Sequence, residues 1–505
     1  MQLSEINHFD PPTAGHRFNL AAHVLGESTA RFHDRNALQI VRLTGAERWS
    51  YQRLSDTVAA TATGLLERGL VPGDRVLLRL GNTVDFPVAF LGAIHAGLVP
   101  VVTSSLLTQS EITPMAARIQ PKLIIAADGI ALPTDPYPVL PLAEFVKMTM
   151  KPRAEAHLGD PNRPAYIIFT SGTTGSPMAV VHAHRAILAR RMMLQGWEDL
   201  GAGDRLMHAG AFNWTYTLGT GLMDPWTVGA TALIPDHGIT PDQLPLLLGR
   251  FDATIFAAAP GVYRQILRNR INPLPRLRHG LSAGEKLSDD IRAAWTAATG
   301  TPIYEALGMS EVSTFISGSR MRPAPVGTAG FAQPGRRIAA LGPDCTPVPR
   351  GEPGQLAVDR RDPGLMIEYL DAPEATAARF QGDWFLTGDL VSIREDGAVV
   401  YLGRNDDQIN AGGFRVSPVE IENAMQKFPQ ITDAAACEIE VKPGVTVIAL
   451  FYTAATDLDQ DQLAAHATQH LARYKQPRVY HRLDALPRTA NAKLNRRLLK
   501  DFKPK

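Results

Sequence analysis

Residues Ala165 to Gly175 read A-Y-I-I-F-T-S-G-T-T-G, and the fold is decided there. An apolar, strand-forming run from Tyr166 to Phe169 empties into Thr170, Ser171, Gly172, Thr173, Thr174 and Gly175. Such a loop brings backbone N–H groups and hydroxyls close to a phosphate, because glycine permits close approach and dihedrals closed to other residues. It is not the loop of a P-loop kinase or ATPase, which needs Lys-Ser/Thr after its last glycine. Here Ser176, Pro177 and Met178 follow Gly175. Taken alone the stretch could be a surface turn, and its weight comes from the rest of the chain.

At 505 residues the chain exceeds one hydrophobic core, and its 45% apolar and 20% charged residues are those of a soluble globular protein. With 51 basic and 50 acidic residues the net charge is +1, so neither nucleic acid nor an anionic membrane is an expected partner. Cys345 and Cys437 lack metal-site spacing and suggest a reducing compartment. His8, Asp10, Pro11 and Pro12 stand where a signal peptide would be apolar, and the longest apolar run, Phe86 to Val102, is broken by prolines and glycines. A cytoplasmic location follows as the expectation.

Up to about residue 404, strand-like runs (75–80, 99–102, 123–126, 166–169, 231–234, 254–258) alternate with helix-like ones (84–96, 241–251, 288–299). Alternation of this kind predicts an α/β fold of layered, mostly parallel sheets and helices. The texture then changes at Asn405, Asp406, Asp407 and Gln408. Residues 405–505, with helices over 418–428 and 458–471 and strands over 433–439 and 446–452, predict a small α+β domain on a hinge, after a large domain of residues 1–404.

Four segments together carry a resemblance: the 165–175 loop, G-M-S-E at Gly308 to Glu311, T-G-D at Thr387 to Asp389, and the L-P-R-T of Leu486 to Thr489 followed by Lys493. In this order and spacing the chain resembles the acyl-adenylate-forming superfamily, nearly end to end. Within it the chain looks most like the benzoate and aryl-CoA ligases, through V-A-F-L-G-A-I-H-A-G-L-V-P-V (Val88 to Val101), L-L-T (Leu106 to Thr108), S-A-G-E (Ser282 to Glu285) and F-I-S (Phe315 to Ser317). The resemblance implies a two-step reaction with ATP, Mg²⁺ and CoA: a small carboxylic acid attacks the α-phosphorus to give acyl-AMP and pyrophosphate, and a thiol then displaces AMP.

It also implies roles for residues. Thr170 to Gly175 cradle the β- and γ-phosphates; Glu311 is the magnesium glutamate, with Ser310 beside it at the phosphate. Gly284, Glu285 and Lys286 resemble the strand against adenine; Glu305 accepts the adenine amino group, and Leu307 packs the base where many relatives stack an aromatic. Asp389 takes the ribose hydroxyls, with Tyr401 and Arg404 near the same ribose. Lys493 bridges the attacking carboxylate and the α-phosphate, as a compact charge on a flexible stem suits. Asp406 matches the hinge about which the small domain turns, Gly413 lets pantetheine pass, and Arg415 holds a phosphate. Gly308 stands where acetate-specific relatives carry a pocket-closing Trp, so a larger acid is expected, lined by Asn213, Trp214, Tyr216 and Thr314. The family further suggests a homodimer.

Two positions depart from the family. The loop usually continues Pro-Lys-Gly and here reads Pro177-Met178-Ala179; Ala492 replaces the Gly before the catalytic lysine. Loss of a cation that grips the outgoing phosphates predicts weaker ATP binding or a slower first step. Thr314 stands where aryl-CoA ligases often have His, which leaves aryl and medium-chain acids both open. An acid–CoA ligase, an enzyme loading a carrier-protein thiol, and a non-catalytic nucleotide-binding relative remain as alternatives.

Overall fold

A computed structural model of the chain describes residues 2–170, 177–405, 409–411, 414–442, 445–488, 494–500 and 502, without the side chains of 410, 411, 414, 415, 442, 445 and 474. The chain forms two compact units. One comprises Ile6–Arg337 and Val358–Phe385; the other comprises Met1–Glu5, Ile338–Ala357 and Leu386–Lys505.

The larger unit contains two sheets of mostly parallel strands. In the first, Pro164–Phe169, Val99–Val102, Arg75–Arg79, Leu123–Ala126 and Val139–Pro141 are parallel neighbours. Ala179–Ala183 and Glu368–Tyr369 add an antiparallel edge. Its central strands are buried on both faces, and so read as unbroken apolar runs such as VPVV and LIIA. Leu77, Val101, Ile124, Ile167 and Val181 pack on one side against Ile112, Met115 and Ile119. Those three lie on the helix Gln109–Ile119, which begins with a capping box between Thr108 and Glu111.

In the second sheet, Ile303–Met309, His279–Ala283, Ile255–Ala258, Arg205–His208, Thr231–Pro235 and Asn36–Arg42 run parallel. Antiparallel strands close both ends: Ser313–Ser317 and Phe331–Ala332 at one, Gly45–Ser50 at the other. Leu233, Leu247, Phe256, Tyr263 and Trp295 form a core below this sheet. Residues 241–251 are a 3₁₀ turn, Pro241–Gln243, followed by the helix Leu244–Arg250, not one helix. Pro245 supplies no N–H to a continuous ladder.

The strand Trp384–Ile393 runs from the larger unit into the other, where its residues 389–393 pair antiparallel with Val399–Arg404, Asp389 opposite Arg404. Asp433–Lys442 and Val445–Thr453 form a long hairpin joined in parallel by Val479–Arg482. The helices Pro418–Met425 and Gln460–His470 bury Ile421, Met425 and Leu463 against Leu450 and Tyr452. No helix among the described residues is long and apolar enough to cross a membrane.

Candidate active site

In the larger unit, four sequence-predicted segments leave the carboxyl ends of parallel strands, where α/β sheets bind ligands. Thr170 follows Pro164–Phe169, the 209–216 segment follows Arg205–His208, Gly284 follows His279–Ala283, and Ser310 follows Ile303–Met309.

The last of these turns into a tight hairpin. Its register shifts between Leu307 and Gly308, and a Cβ on Gly308 would sit 2.3 Å from the Ser313 carbonyl oxygen. Ser313 itself has φ +82°, a conformation that a non-glycine residue holds only when its surroundings enforce it. Two buried arginines do so. Arg190 donates from Nη1 to Ser313 Oγ (2.7 Å) and from Nε to Asp224 Oδ1 (2.7 Å). Arg336 pairs with Asp362, both fully buried, and donates from Nη2 to the Thr314 carbonyl (2.9 Å). Thr220, which accepts from Arg190, donates to Glu198 Oε1 (2.9 Å). Burial and the neighbouring Asp224 push the Glu198 carboxyl well above its usual range.

On this hairpin Glu311 is buried, its Oε1 accepts from the Tyr369 hydroxyl (2.7 Å), and its carbonyl accepts from Met366 N (2.7 Å). Burial, then the Glu311 charge and hydrogen bond, raise the Tyr369 phenol above its ordinary value. Glu311 Oε2 has no partner among the described residues. One oxygen fixed and one open suits a hard cation whose other ligands are phosphate oxygens and water. Ser310 is anchored through its carbonyl, 2.7 Å from His182 Nε2; burial lowers His182 to about 4, so the neutral ring donates.

Glu305 lies deeper on the strand. Oε1 accepts from Leu287 N (2.8 Å) and Oε2 from Arg292 Nη2 (3.0 Å). Burial outweighs Arg292 and raises the carboxyl to about 7. The segment Gly284 to Lys286 is not a strand, as the resemblance implied. Pairing ends at Ala283, and Gly284 turns the chain at φ +96°. A Cβ there would lie 2.4 Å from Trp214 Cζ2. Glu285, Lys286 and Leu307 are half-buried near this turn.

Trp214 also meets Tyr216 edge to face, with ring centroids 5.3 Å apart. Tyr216 OH donates to the Leu281 carbonyl (3.0 Å), and Asn82 clamps the segment through Phe212 N (3.0 Å) and the Gly210 carbonyl (2.9 Å). Asn213 is half-buried, while Thr314 is buried with no partner for Oγ1 among the described residues. Thr170 N donates to the Met178 carbonyl (2.9 Å), closing the neck of the glycine loop. Ser171, Gly172, Thr173, Thr174 and Gly175 lie outside the described residues.

The other unit carries the remaining positions. Asp389 is buried, and Arg404 Nη1 lies 3.4 Å from its Oδ1 and 3.2 Å from the Thr387 carbonyl. Tyr401, half-buried, faces Val391 in the same strand pair. Arg415 pairs with Asn410 through backbone, its side chain being outside the described set, as are Asp406, Gly413 and Lys493 entirely. Arg488 and Leu494, on either side of residues 489–493, form an antiparallel bridge. Arg488 donates to Asp433 Oδ2 (2.8 Å), and Arg496 grips both oxygens of buried Glu422 (2.8 Å each).

The supporting residues Tyr369, His182, Arg190 and Arg336 escaped the sequence reading, since their partners lie 58, 128, 123 and 22 residues away in chain order. A buried-arginine signal does not exist in single-sequence composition.

Comparison with known proteins completes the picture. Residues 25–370 match the AMP-binding enzyme family, and residues 420–493 match the AMP-binding enzyme C-terminal domain. The chain is 30% identical to a benzoate--CoA ligase of Thauera aromatica, covering 98% of each chain. It is 28% identical to the mitochondrial acyl-coenzyme A synthetase ACSM3 of Rattus norvegicus, over 96% of this chain and 90% of that one. A solved benzoate CoA ligase from Burkholderia xenovorans LB400 superposes with a TM-score of 0.86 at 28% identity, over 96% of this chain and all of that one.

Proposed function

The chain belongs to the AMP-binding enzyme family, and from that premise we propose that it is an AMP-forming carboxylic acid–CoA ligase acting on an aryl or medium-size acyl acid. The observation that carries this reading is the braced hairpin of 303–317. It presents Gly308, Ser310, Glu311 and Thr314 together at the carboxyl end of a parallel sheet, with Glu311 keeping one oxygen open.

In the first step an oxygen of the substrate carboxylate forms a bond to the α-phosphorus of ATP, and the bond from that phosphorus to the bridging oxygen breaks, releasing pyrophosphate. Two anions must approach, so positioning and charge neutralisation supply the rate. Lys493 spans the carboxylate and α-phosphate; Ser310 and Thr170 to Gly175 donate to phosphate oxygens. Glu311 Oε2 would hold Mg²⁺, which when bound neutralises phosphate charge. Glu305, Leu307 and the Gly284 turn, with half-buried Glu285 and Lys286 beside it, receive adenine. Asp389, Tyr401 and Arg404 receive the ribose. In the second step the CoA sulfur attacks the acyl carbon and AMP leaves with the acyl oxygen's bonding pair. Residues from 405 turn about Asp406 between the steps, and Gly413 and Arg415 then serve CoA.

An aromatic acid is favoured by half-buried Trp214, whose indole stands edge to face against buried Tyr216 and offers a rigid apolar surface suited to a flat ring. A homodimer in the cytoplasm belongs to the same proposal. The test is ATP–pyrophosphate exchange over a panel of aryl and straight-chain acids, with acyl-CoA then sought by mass after adding CoA. Exchange should appear with the aryl acids and fall at least about a thousandfold in Lys493→Ala, the size of effect when a transition-state charge contact is removed. Undiminished exchange in that variant refutes the mechanism, and acyl transfer only to a carrier protein refutes the acceptor.

A further inference from the structure

The second sheet of the larger unit meets the candidate active site only at the carboxyl ends of its parallel strands. Toward their amino ends a separate cavity of about 450 Å³ opens, within the size range of small-molecule sites. Arg48, Arg205, Arg250 and Arg276 line it, and its carboxylate among the described residues is Asp252. Four positive charges against one negative leave +3 in this space, whereas the whole chain carries +1. The concentration of charge is local.

The fold places these groups individually. Arg205 opens the strand Arg205–His208; its Nε donates to the Phe251 carbonyl (2.7 Å), and its Nη2 lies 3.4 Å from Gln39 Oε1. Arg48 stands directly opposite Gln39 in the antiparallel pair of Asn36–Arg42 and Gly45–Ser50. Arg250 donates from Nη1 to the Leu43 carbonyl. Among the described residues none of the four arginines forms an ion pair with a carboxylate, and the guanidinium groups of Arg48 and Arg276 make no hydrogen bond. Gln39 lines the same space and is only 2% exposed, yet its Nε2 has no hydrogen-bond partner among the described residues. A buried amide donor is costly to leave unmatched. Arg205, half-buried, is lowered from its ordinary value by burial; Asp252 opposes that shift and the charge of Arg48 adds to it. Like charges are thus held close enough to repel, and an anion between them relieves the repulsion.

We propose that this cavity is a binding site for a small, multiply charged phosphate ligand, gripped by Arg48, Arg205, Arg250 and Arg276 with Gln39 as a neutral donor. Charge decides the class. A monocarboxylate offsets one unit of the excess, whereas two phosphoryl groups carry about −3. Guanidinium forks also match phosphate oxygens two at a time. Free diphosphate and the phosphate tail of a nucleotide share this chemistry. The proposal stands apart from the adenylation reading, since none of its residues belongs to that site.

Phenylglyoxal, which modifies unprotected guanidinium groups, reads occupancy residue by residue on the full chain when the peptides are weighed. Inorganic pyrophosphate and ATP are the probes, with sodium sulfate at equal ionic strength as the control. At ten times its dissociation constant, the ligand should slow modification of Arg48 and Arg276 about tenfold by mass action. Protection by pyrophosphate assigns a free diphosphate, and protection by ATP alone assigns a nucleotide tail; either supports the site. In Arg276→Gln, protection of Arg48 should need a roughly tenfold higher ligand concentration, as for loss of one charge-assisted contact. No protection by either probe overturns the proposal. Equal protection by sulfate, meaning an adventitious ion only, overturns it too, as does undiminished protection of Arg48 in Arg276→Gln. Failure here leaves acid activation untouched, and a chain that activates no acid leaves this site standing.

Discussion

The Tyr369 hydroxyl lies 2.7 Å from Glu311 Oε1, joining a two-residue edge strand of one sheet to the hairpin of the other. Both groups are buried, and a buried carboxylate left without such a donor loses both orientation and stabilisation.

Tyr369→Phe should therefore weaken the proposed metal site while leaving the fold intact. The loss of a buried hydrogen bond to a charged group is about 2 kcal/mol. Half-saturation of ATP-dependent Mn²⁺ binding, followed by electron paramagnetic resonance, should move to a roughly tenfold higher Mn²⁺ concentration, a ratio matching about 1.4 kcal/mol. Unaltered Mn²⁺ binding would show that Tyr369 does not orient Glu311.

Glu305 should make stability depend on pH with an unusual sign. Its folded value is about 7 against the ordinary 4.5, so between those values the folded state keeps a proton that the unfolded state has released. Its contribution is fully present below about pH 4.5, is lost as pH rises to about 7, and is constant above. The span is roughly 3 kcal/mol. Urea denaturation from pH 4.5 to 7.5 should show this decline in the wild type and a flatter profile in Glu305→Gln. Parallel profiles would mean that Glu305 titrates normally in the folded protein.

Gly284→Ala should strike the proposed acyl wall through the backbone. The φ of +96° strains any side chain, and the new Cβ would meet the Trp214 indole at 2.4 Å. A stability loss of about 1–3 kcal/mol is expected. The KM for an aromatic acid should rise about tenfold, the effect of about 1.4 kcal/mol. Trp214→Ala in the same chain should return part of the stability, a coupling that a double-mutant cycle reads directly. Strict additivity would separate the two residues.

Much of this architecture was legible in the chain, and for identifiable reasons. VPVV and LIIA are strands at their predicted bounds, because burial on two faces leaves an unbroken apolar run. Ser288 caps Asp289–Thr299 as its position suggested, accepting from Ile291 N. Gly284 to Lys286 misled, since a left-handed glycine looks like any other in a string of letters. The supports of Glu311, Ser313 and Thr314 were beyond reach. Arg190 finds Ser313 only because a helix of one region packs under a hairpin of another, and nothing in local spacing records that meeting.

The brace of Arg190 and Arg336 beneath Ser313 and Thr314 has an evolutionary corollary. Gly308 and Thr314, assigned to the acid in the proposed function, share seven residues of backbone with Glu311, and that backbone is held at the start of its return strand, where Arg190 reaches Ser313 and Arg336 the Thr314 carbonyl. Any drift there toward a new acid would be felt at once by the phosphate chemistry. The segment of Asn213, Trp214 and Tyr216 is tied down separately, through Asn82 and Leu281. Diversification of diet is thus channelled to that second wall, and laboratory libraries meant to retarget the enzyme are best seeded there.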